Sequence, residues 1–321
     1  MPTTRVVQEL SRFYLNSTSK QLFKDAVAEQ TTKISCKAIA KTIGTRLSLE
    51  DNKDYKFAIN HTLYEPKTKC LASYIPKNGC TNLRYSFAVA NNFISGPEDI
   101  DWIHSNNQSM NANPESINNS EYSFVILRNP YERLASAFWD KFVSGSRADA
   151  IDESGEILRN LVDNDKQSNK INSFKDFVNK LWENPLLISK DIHLRYQTDF
   201  LLLSSYDDYF SLNNFEQLQK TLLKKASLKI LDTRKFTKHS TFGYDKKEEG
   251  YYGTCGIEEL SAIKSQKSSI KYDNLYDHED AYKTTVLYCN DIARYVQKTD
   301  DLESIANYLR KALIHSTYYQ I

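Results

Sequence analysis

The chain has 321 residues, enough for about two domains at ~150 residues each or for one α/β domain with insertions. Its 42 basic and 41 acidic residues leave a net charge of +1, which excludes attraction to nucleic acid or membrane by net charge and makes any anion site local. At 40% hydrophobic and 26% charged residues, with only 9 Gly and 7 Pro, the composition excludes disordered and collagenous classes and argues against a turn-rich all-β architecture.

Residues 1–66 read as a polar, helix-leaning lead-in, and residues 67–321 as a single domain. The first clear strand runs from Cys70 to Ile75, and Pro76 stops it. Leu83, Phe87, Ala90 and Ile94 then fall on one helical face, so a helix is predicted over 81–94. The Asn- and Ser-rich stretch Asp99–Glu121 reads as a loop or a set of short turns. Ser123–Arg128 is a compact apolar run that suits a buried parallel strand, broken by Asn129 and Pro130. Leu134, Phe138 and Phe142 open the next helix, which makes a second strand, loop and helix unit.

Residues 144–170 read as an exposed connection with a short helix around Ile157–Val162. From Ser173, the face of Phe174, Phe177, Val178 and Leu181 predicts another helix. Asp208–Leu212 reads as a strand, Phe215–Lys225 as a helix and Leu228–Leu231 as a short strand. Helices follow over Glu258–Ser265, Tyr282–Arg294 and Leu302–His315. Alternating strands and helices predict an α/β fold with a helical C-terminal region.

Five scattered cysteines, Cys36, Cys70, Cys80, Cys255 and Cys289, give neither a disulfide framework nor a CxxC site. No apolar run approaches the ~18 residues that span a bilayer, and the first twenty residues lack the apolar core of a signal peptide, so a cytoplasmic location is expected. Sequons such as those at Asn16 and Asn118 are expected by chance in an Asn-rich chain.

Two stretches carry chemistry. The first is Ile75–Arg84, IPKNGCTNLR, where a strand meets a helix. Such a junction gathers free N–H groups and the positive end of a helix dipole, which suits phosphate or sulfate. Lys77 adds a full charge, while Thr81 and Asn82 can cap the helix or donate to an anion. It is not a Walker A loop, because Lys77 precedes the lone Gly79. The alternative is a Pro-stopped strand followed by an ordinary capped helix. The second stretch is Arg128–Ser136, RNPYERLAS, in the same setting. Arg128 at a strand end and Ser136 about two turns into the helix can both face the carboxyl edge of a parallel sheet, where α/β folds bind ligands. Arg128 would grip a phosphate with its planar fork, and Ser136 would add a hydroxyl. Alternatively Arg128 pairs with a carboxylate.

Together the stretches resemble the donor-binding motifs of sulfotransferases that use 3′-phosphoadenosine 5′-phosphosulfate (PAPS), and most closely the carbohydrate sulfotransferases of the chondroitin 4-O and HNK-1 type. The pattern PK-x-x-CT-x-x-[KR] is matched by Pro76, Lys77, Cys80, Thr81 and Arg84. The pattern R-[DE]-P-[FY]-x-R-L-x-S-[AG]-[YF] is matched by Arg128, Pro130, Tyr131, Arg133, Leu134, Ser136 and Phe138, with Asn129 in place of the usual acid. SFKDFV at Ser173, DIHLRYQ at Asp191, FEQL at Phe215 and TVLYCNDIARY extend the likeness, in order, over Cys70–Tyr295. With no counterpart to the membrane anchor of the Golgi members, the chain resembles the soluble, bacterial-type relatives.

The resemblance implies a P-loop-like sulfotransferase fold, a central parallel sheet flanked by helices, with a donor-binding core over 70–143 and 200–235. It implies a sulfuryl transfer from PAPS to a hydroxyl, of a carbohydrate by family likeness. The charge balance gives no nucleic-acid partner, and no metal is expected, since Lys77 and the backbone nest supply the positive potential and no ligand cluster is visible. Lys77 would stabilise the leaving oxygen, the backbone from Asn78 through Gly79, Cys80 and Thr81 to Asn82 would hold the 5′-phosphate, and Arg128 with Ser136 the 3′-phosphate. Of the histidines at 61, 104, 193, 239, 278 and 315, the family pattern selects His104 as the base, with His193 as a second candidate that orients substrate or a helix. Glu98, Asp99 and Asp101 could replace His104. Trp102, Trp139, Tyr251 and Tyr252 could stack on sugar rings. The competing classes are a phosphotransferase with an atypical phosphate loop, for which no Walker B pattern or magnesium carboxylate is seen, and a nonenzymatic nucleotide- or glycan-binding protein.

Overall fold

The computed structural model describes residues 52–144, 171–237 and 243–318. Most of the lead-in, the short helix expected around Ile157–Val162, Cys36, Asn16 and His239 lie outside the described residues.

The central sheet has four strands in the order β1 (Thr62–Glu65), β2 (Cys70–Ser73), β3 (Tyr122–Leu127) and β4 (Asp208–Ser211). β1 runs antiparallel to β2 along the edge, whereas β2, β3 and β4 are parallel. The register sets Ser73 against Val125 and Leu127 against Ser211, so all three parallel strands end on the same edge.

Strand alternation divides the apolar residues between two cores. Leu71, Val125 and Leu127 face one, with α3 (Pro130–Phe138), α4 (Phe174–Glu183) and the C-terminal helices α7 (His278–Leu287), α8 (Cys289–Lys298) and α9 (Glu303–Tyr318). Cys70, Ala72, Phe124 and Ile126 face the other, with α2 (Cys80–Ala90) and α5 (Phe215–Ala226). A sheet buried on both faces explains why β3 reads as a continuous apolar run rather than an alternating one.

Four expectations change. The stretch read as a helix-leaning lead-in holds helix α1 (Lys53–Asn60), as that reading has it, but also β1, which is part of the sheet. Four residues are too few for a period to show. The strand expected over Leu228–Leu231 is not one: Leu228 and Ile230 are buried, but side chains satisfy the backbone, with Gln219 Nε2 donating to Ile230 O at 2.8 Å and Leu231 N–H donating to Ser86 Oγ at 2.8 Å. The helix expected over Tyr282–Arg294 is two, α7 and α8, because Tyr288 leaves helical geometry at φ −111° and ψ 25°. A second, two-stranded parallel sheet pairs Asp245–Lys247 with Ser268–Ile270, in segments too charged and short to read as strands. The loop or set of short turns expected over 99–121 agrees with the structure, which has helical turns at Trp102–Ser105 and Pro114–Asn119.

Candidate active site

The first junction is built from two left-handed residues. Lys77 has φ 72° and Gly79 φ 73°, which turns the chain sharply from β2 into α2. Gly79 is the N-cap of α2 and supplies no side-chain cap, so the first-turn N–H groups of Cys80, Thr81 and Asn82 are left as donors. A Cβ on Gly79 would stand 3.0 Å from Leu212 Cδ1, so the backbone passes close to the side chain that follows β4. The side chains of the loop are less open than its backbone. Asn78 is buried; its N–H bonds Ile75 O at 3.1 Å and its Nδ2 donates to Ile126 O at 2.9 Å and Gln197 Oε1 at 2.6 Å. Asn82 Oδ1 accepts from Thr233 N at 3.2 Å and from the Thr233 hydroxyl, which ties residues 230–233 to α2.

The second junction bonds the first. Arg128 Nη1 donates to Lys77 O at 2.9 Å, and Arg133 Nε donates to Pro76 O at 3.1 Å. Arg133 is buried and also donates to Arg195 O at 2.7 Å, so its charge is spent on carbonyls that hold the loops together. Arg128 lies over the Tyr272 ring at 5.5 Å, and its Nε is 3.8 Å from Glu132 Oε2, with no hydrogen-bond partner. The alternative carboxylate pairing of Arg128 is therefore present as a loose ion pair, made through an Nε that has no hydrogen-bond partner. Ser136 is buried in α3, two turns beyond. Asn129, where the resembled pattern has an acid, caps α3 by accepting from Tyr131 N–H at 3.1 Å and also donates from Nδ2 to Ser304 O at 2.7 Å, which fastens α9.

Lys77 Nζ forms an ion pair with Asp140 Oδ2 at 3.0 Å, with both side chains about one-fifth exposed. His193 shares this neighbourhood. Its side chain is 12% exposed, and burial lowers its pKa below 6.5, a shift that its contact with Asp191 opposes and the charges of Lys141 and Lys77 reinforce. Asp191 Oδ1 accepts the His193 N–H at 2.7 Å and lies 3.2 Å from Nδ1. With the proton on Nδ1, Nε2 is left as the acceptor. His104 is exposed, on the turn Trp102–Ser105, whose Ile103 packs into the core on the α2 side of the sheet. Glu98, Asp99 and Asp101 are exposed near it. His61 is enclosed by Phe57, Tyr74 and Phe200, with Nδ1 2.8 Å from Phe57 O.

The aromatic candidates separate by burial. Trp139 is 4% exposed and belongs to the core, which removes it as a sugar-stacking surface. Trp102 stacks on the exposed Phe93, and Tyr251 donates to Asp277 and Asp280, both at 3.3 Å.

Residue reading missed Asp140, Lys264 and Gln197. Lys264, in α6 (Ile257–Ser265), donates to Ser144 Oγ; burial pushes its pKa down, Asp140 opposes that and Lys77 adds to it, so its ammonium shares the field around Lys77. No local pattern marks it, because the two lysines come from opposite ends of the chain. Gln197 closes the DIHLRYQ stretch, whose likeness to the family was the available signal. Among the described residues no group of three or more His, Cys, Asp or Glu is placed to hold a metal, and no helix is long and apolar enough to cross a membrane.

Comparison with known proteins gives two matches. The pattern of the sulfotransferase family matches residues 60–297. Carbohydrate sulfotransferase 10 of Xenopus laevis is 29% identical over 151 residues, which are 43% of this chain and 42% of that protein. The chain thus covers under half the length of this curated relative. No solved structure matches it.

Proposed function

Because the chain belongs to the sulfotransferase family, we propose that it transfers a sulfuryl group from PAPS to a hydroxyl group of a carbohydrate acceptor. The observation that carries the donor assignment is the bond from Arg128 Nη1 to Lys77 O, 2.9 Å, which joins an uncapped helix N-terminus and its lysine to an arginine whose buried Nε makes no hydrogen bond and only a loose ion pair with Glu132. A donor with phosphate groups at both ends of a ribose needs two anion sites at a fixed separation, and this bond ties together two candidates for them. The carbohydrate acceptor is supported by the similarity to carbohydrate sulfotransferase 10.

In the proposed reaction the acceptor oxygen attacks sulfur in line, a new S–O bond forms, and the bond to the bridging oxygen breaks with its electron pair passing to the 5′-phosphate. Lys77 Nζ, leaving Asp140, would meet the charge growing on that oxygen. The first-turn N–H groups of Cys80, Thr81 and Asn82, with the Gly79 turn, would hold the 5′-phosphate, beside a loop that Asn78 fastens to β3. Arg128 and Ser136 would hold the 3′-phosphate. The acceptor proton goes to a histidine, His104 or His193. What supports His193 is its burial, its neutral form at neutral pH and its place in the field of Lys77. What supports His104 is its family position. A cytoplasmic location belongs to the same proposal, with free thiols at Cys70, Cys80, Cys255 and Cys289 in its favour.

Transfer of label from PAPS onto a panel of glycans, small alcohols and peptides, with and without EDTA, tests the reading. The expected result is metal-independent sulfation of a glycan that Lys77→Ala abolishes. Labelling from ATP with magnesium instead would establish the phosphotransferase, and donor binding with no transfer to any acceptor the binding protein.

A further inference from the structure

Between the two junctions stands a side chain that neither motif contains. Gln197 is 2% exposed, and its amide makes three bonds. Oε1 accepts from Asn78 Nδ2 at 2.6 Å and from Arg128 N–H at 3.1 Å, and Nε2 donates to Arg128 O at 2.9 Å. Arg128 is the first residue past β3, where the chain leaves the ladder and its main-chain groups lose their strand partners. Gln197 supplies both, much as a neighbouring strand would, and spends its second acceptor lone pair on the residue that follows Lys77. Its own backbone is held in turn: Asp291 Oδ2 accepts the Gln197 N–H at 2.7 Å and Asp291 Oδ1 the Thr198 N–H at 3.2 Å, with Asp291 buried in α8.

We propose that Gln197 is a positioning residue that sets the separation of the two phosphate sites by fixing Arg128 and Asn78 to one amide plane. The inference rests on the PAPS reading above. Arg128 enters the site from the residue whose N–H and C=O Gln197 holds, so a loose Gln197 frees the arginine to tilt while leaving the helix N-terminus intact. The consequence is selective: recognition of the 3′-phosphate suffers more than recognition of the 5′-phosphate. A purely structural role would lower stability without changing the preference of the folded molecules.

The test is calorimetric binding of 3′,5′-diphosphoadenosine and 5′-AMP to the native chain, Gln197→Met and Gln197→Glu, each with a thermal melt to establish folding. The native chain is expected to prefer the diphosphate. Gln197→Met, which removes all three bonds, should reduce that preference at least tenfold, and Gln197→Glu, which keeps the two acceptor contacts but turns a carboxylate oxygen toward Arg128 O, should reduce it at neutral pH and less in acid, where the protonated carboxyl can donate. If Gln197→Met does not fold, Gln197→Glu is decided by the same ratio. A native preference in a folded variant overturns the inference and leaves the donor reading standing. Failure of the native chain to bind diphosphoadenosine overturns the donor reading, and the inference falls with it.

Discussion

Arg128 Nη1 and the carbonyl oxygen of Lys77 are 2.9 Å apart, across 51 positions of sequence. The residue proposed to read one phosphate therefore also holds the turn beside the other, and a change at Arg128 acts on both.

Arg128→Ala is expected to weaken diphosphoadenosine binding by more than tenfold, since a hydrogen bond to a charged group contributes ~1.5–3 kcal/mol. Arg128→Lys should recover little, because a point charge cannot bond Lys77 O and a phosphate through one planar fork. Calorimetry showing native affinity in Arg128→Ala would remove this residue from the donor site.

Gly79→Ala should destabilise the chain. At φ 73° a side chain costs ~1–2 kcal/mol, and its Cβ would press on Leu212 Cδ1 at 3.0 Å. The change should also disturb the first turn of α2, so donor affinity falls along with the melting temperature. Gly96→Ala, at a position with extended backbone geometry where the nearest obstacle is the flexible, exposed Glu98 carboxylate at 2.4 Å, which can swing away, is the control expected to change neither by much.

His193 provides a pH signature. Burial, with the charges of Lys141 and Lys77, lowers its pKa below 6.5, so the neutral imidazole is favoured in the fold. The stability this contributes is present above pH 6.5 and is lost as pH falls through the depressed value. If His193 takes the acceptor proton, the acidic limb of kcat lies below pH 6.5, and Lys141→Met moves it upward by removing a charge that opposes protonation. General base catalysis contributes ~10²–10⁴-fold, so His193→Ala should lower turnover by that order with diphosphoadenosine affinity nearly intact. Retention of full turnover in His193→Ala, with loss in His104→Ala, would assign the base to His104.

Asn129→Asp tests why an amide stands at the acidic position of the resembled motif. An aspartate can still cap α3 by accepting from Tyr131 N–H, but it cannot donate to Ser304 O as Asn129 Nδ2 does at 2.7 Å. Losing the bond to that half-buried carbonyl costs ~0.5–1.5 kcal/mol, more with a charge beside it. Thermal melts should show a lower midpoint for Asn129→Asp at neutral pH, and the deficit should shrink in acid, where the protonated carboxyl can donate. Equal midpoints at every pH would mean that α9 does not depend on this contact.

The sequence by itself determined the two strand-to-helix junctions, because what makes them is local. Pro76 stops a strand, Gly79 permits a left-handed turn, Asn129 and Pro130 begin a helix, and apolar spacing marks the faces of α2 and α3. It also determined that β3 is a buried parallel strand, since a sheet covered on both faces needs no polar alternation. The tertiary structure decided everything set by contact between distant segments. Edge strand β1 gains its partner only by pairing with β2, and Leu228–Leu231 is kept out of the sheet by side chains of α2 and α5 that satisfy its backbone. The same holds within the site: Gln197 reaches Asn78 across 119 positions, Lys77 finds Asp140, and His193 enters the field of Lys77. No periodicity records such pairings, because a side-chain hydrogen bond depends on where two backbones are brought together in space, and that placement is fixed by packing across the whole sheet.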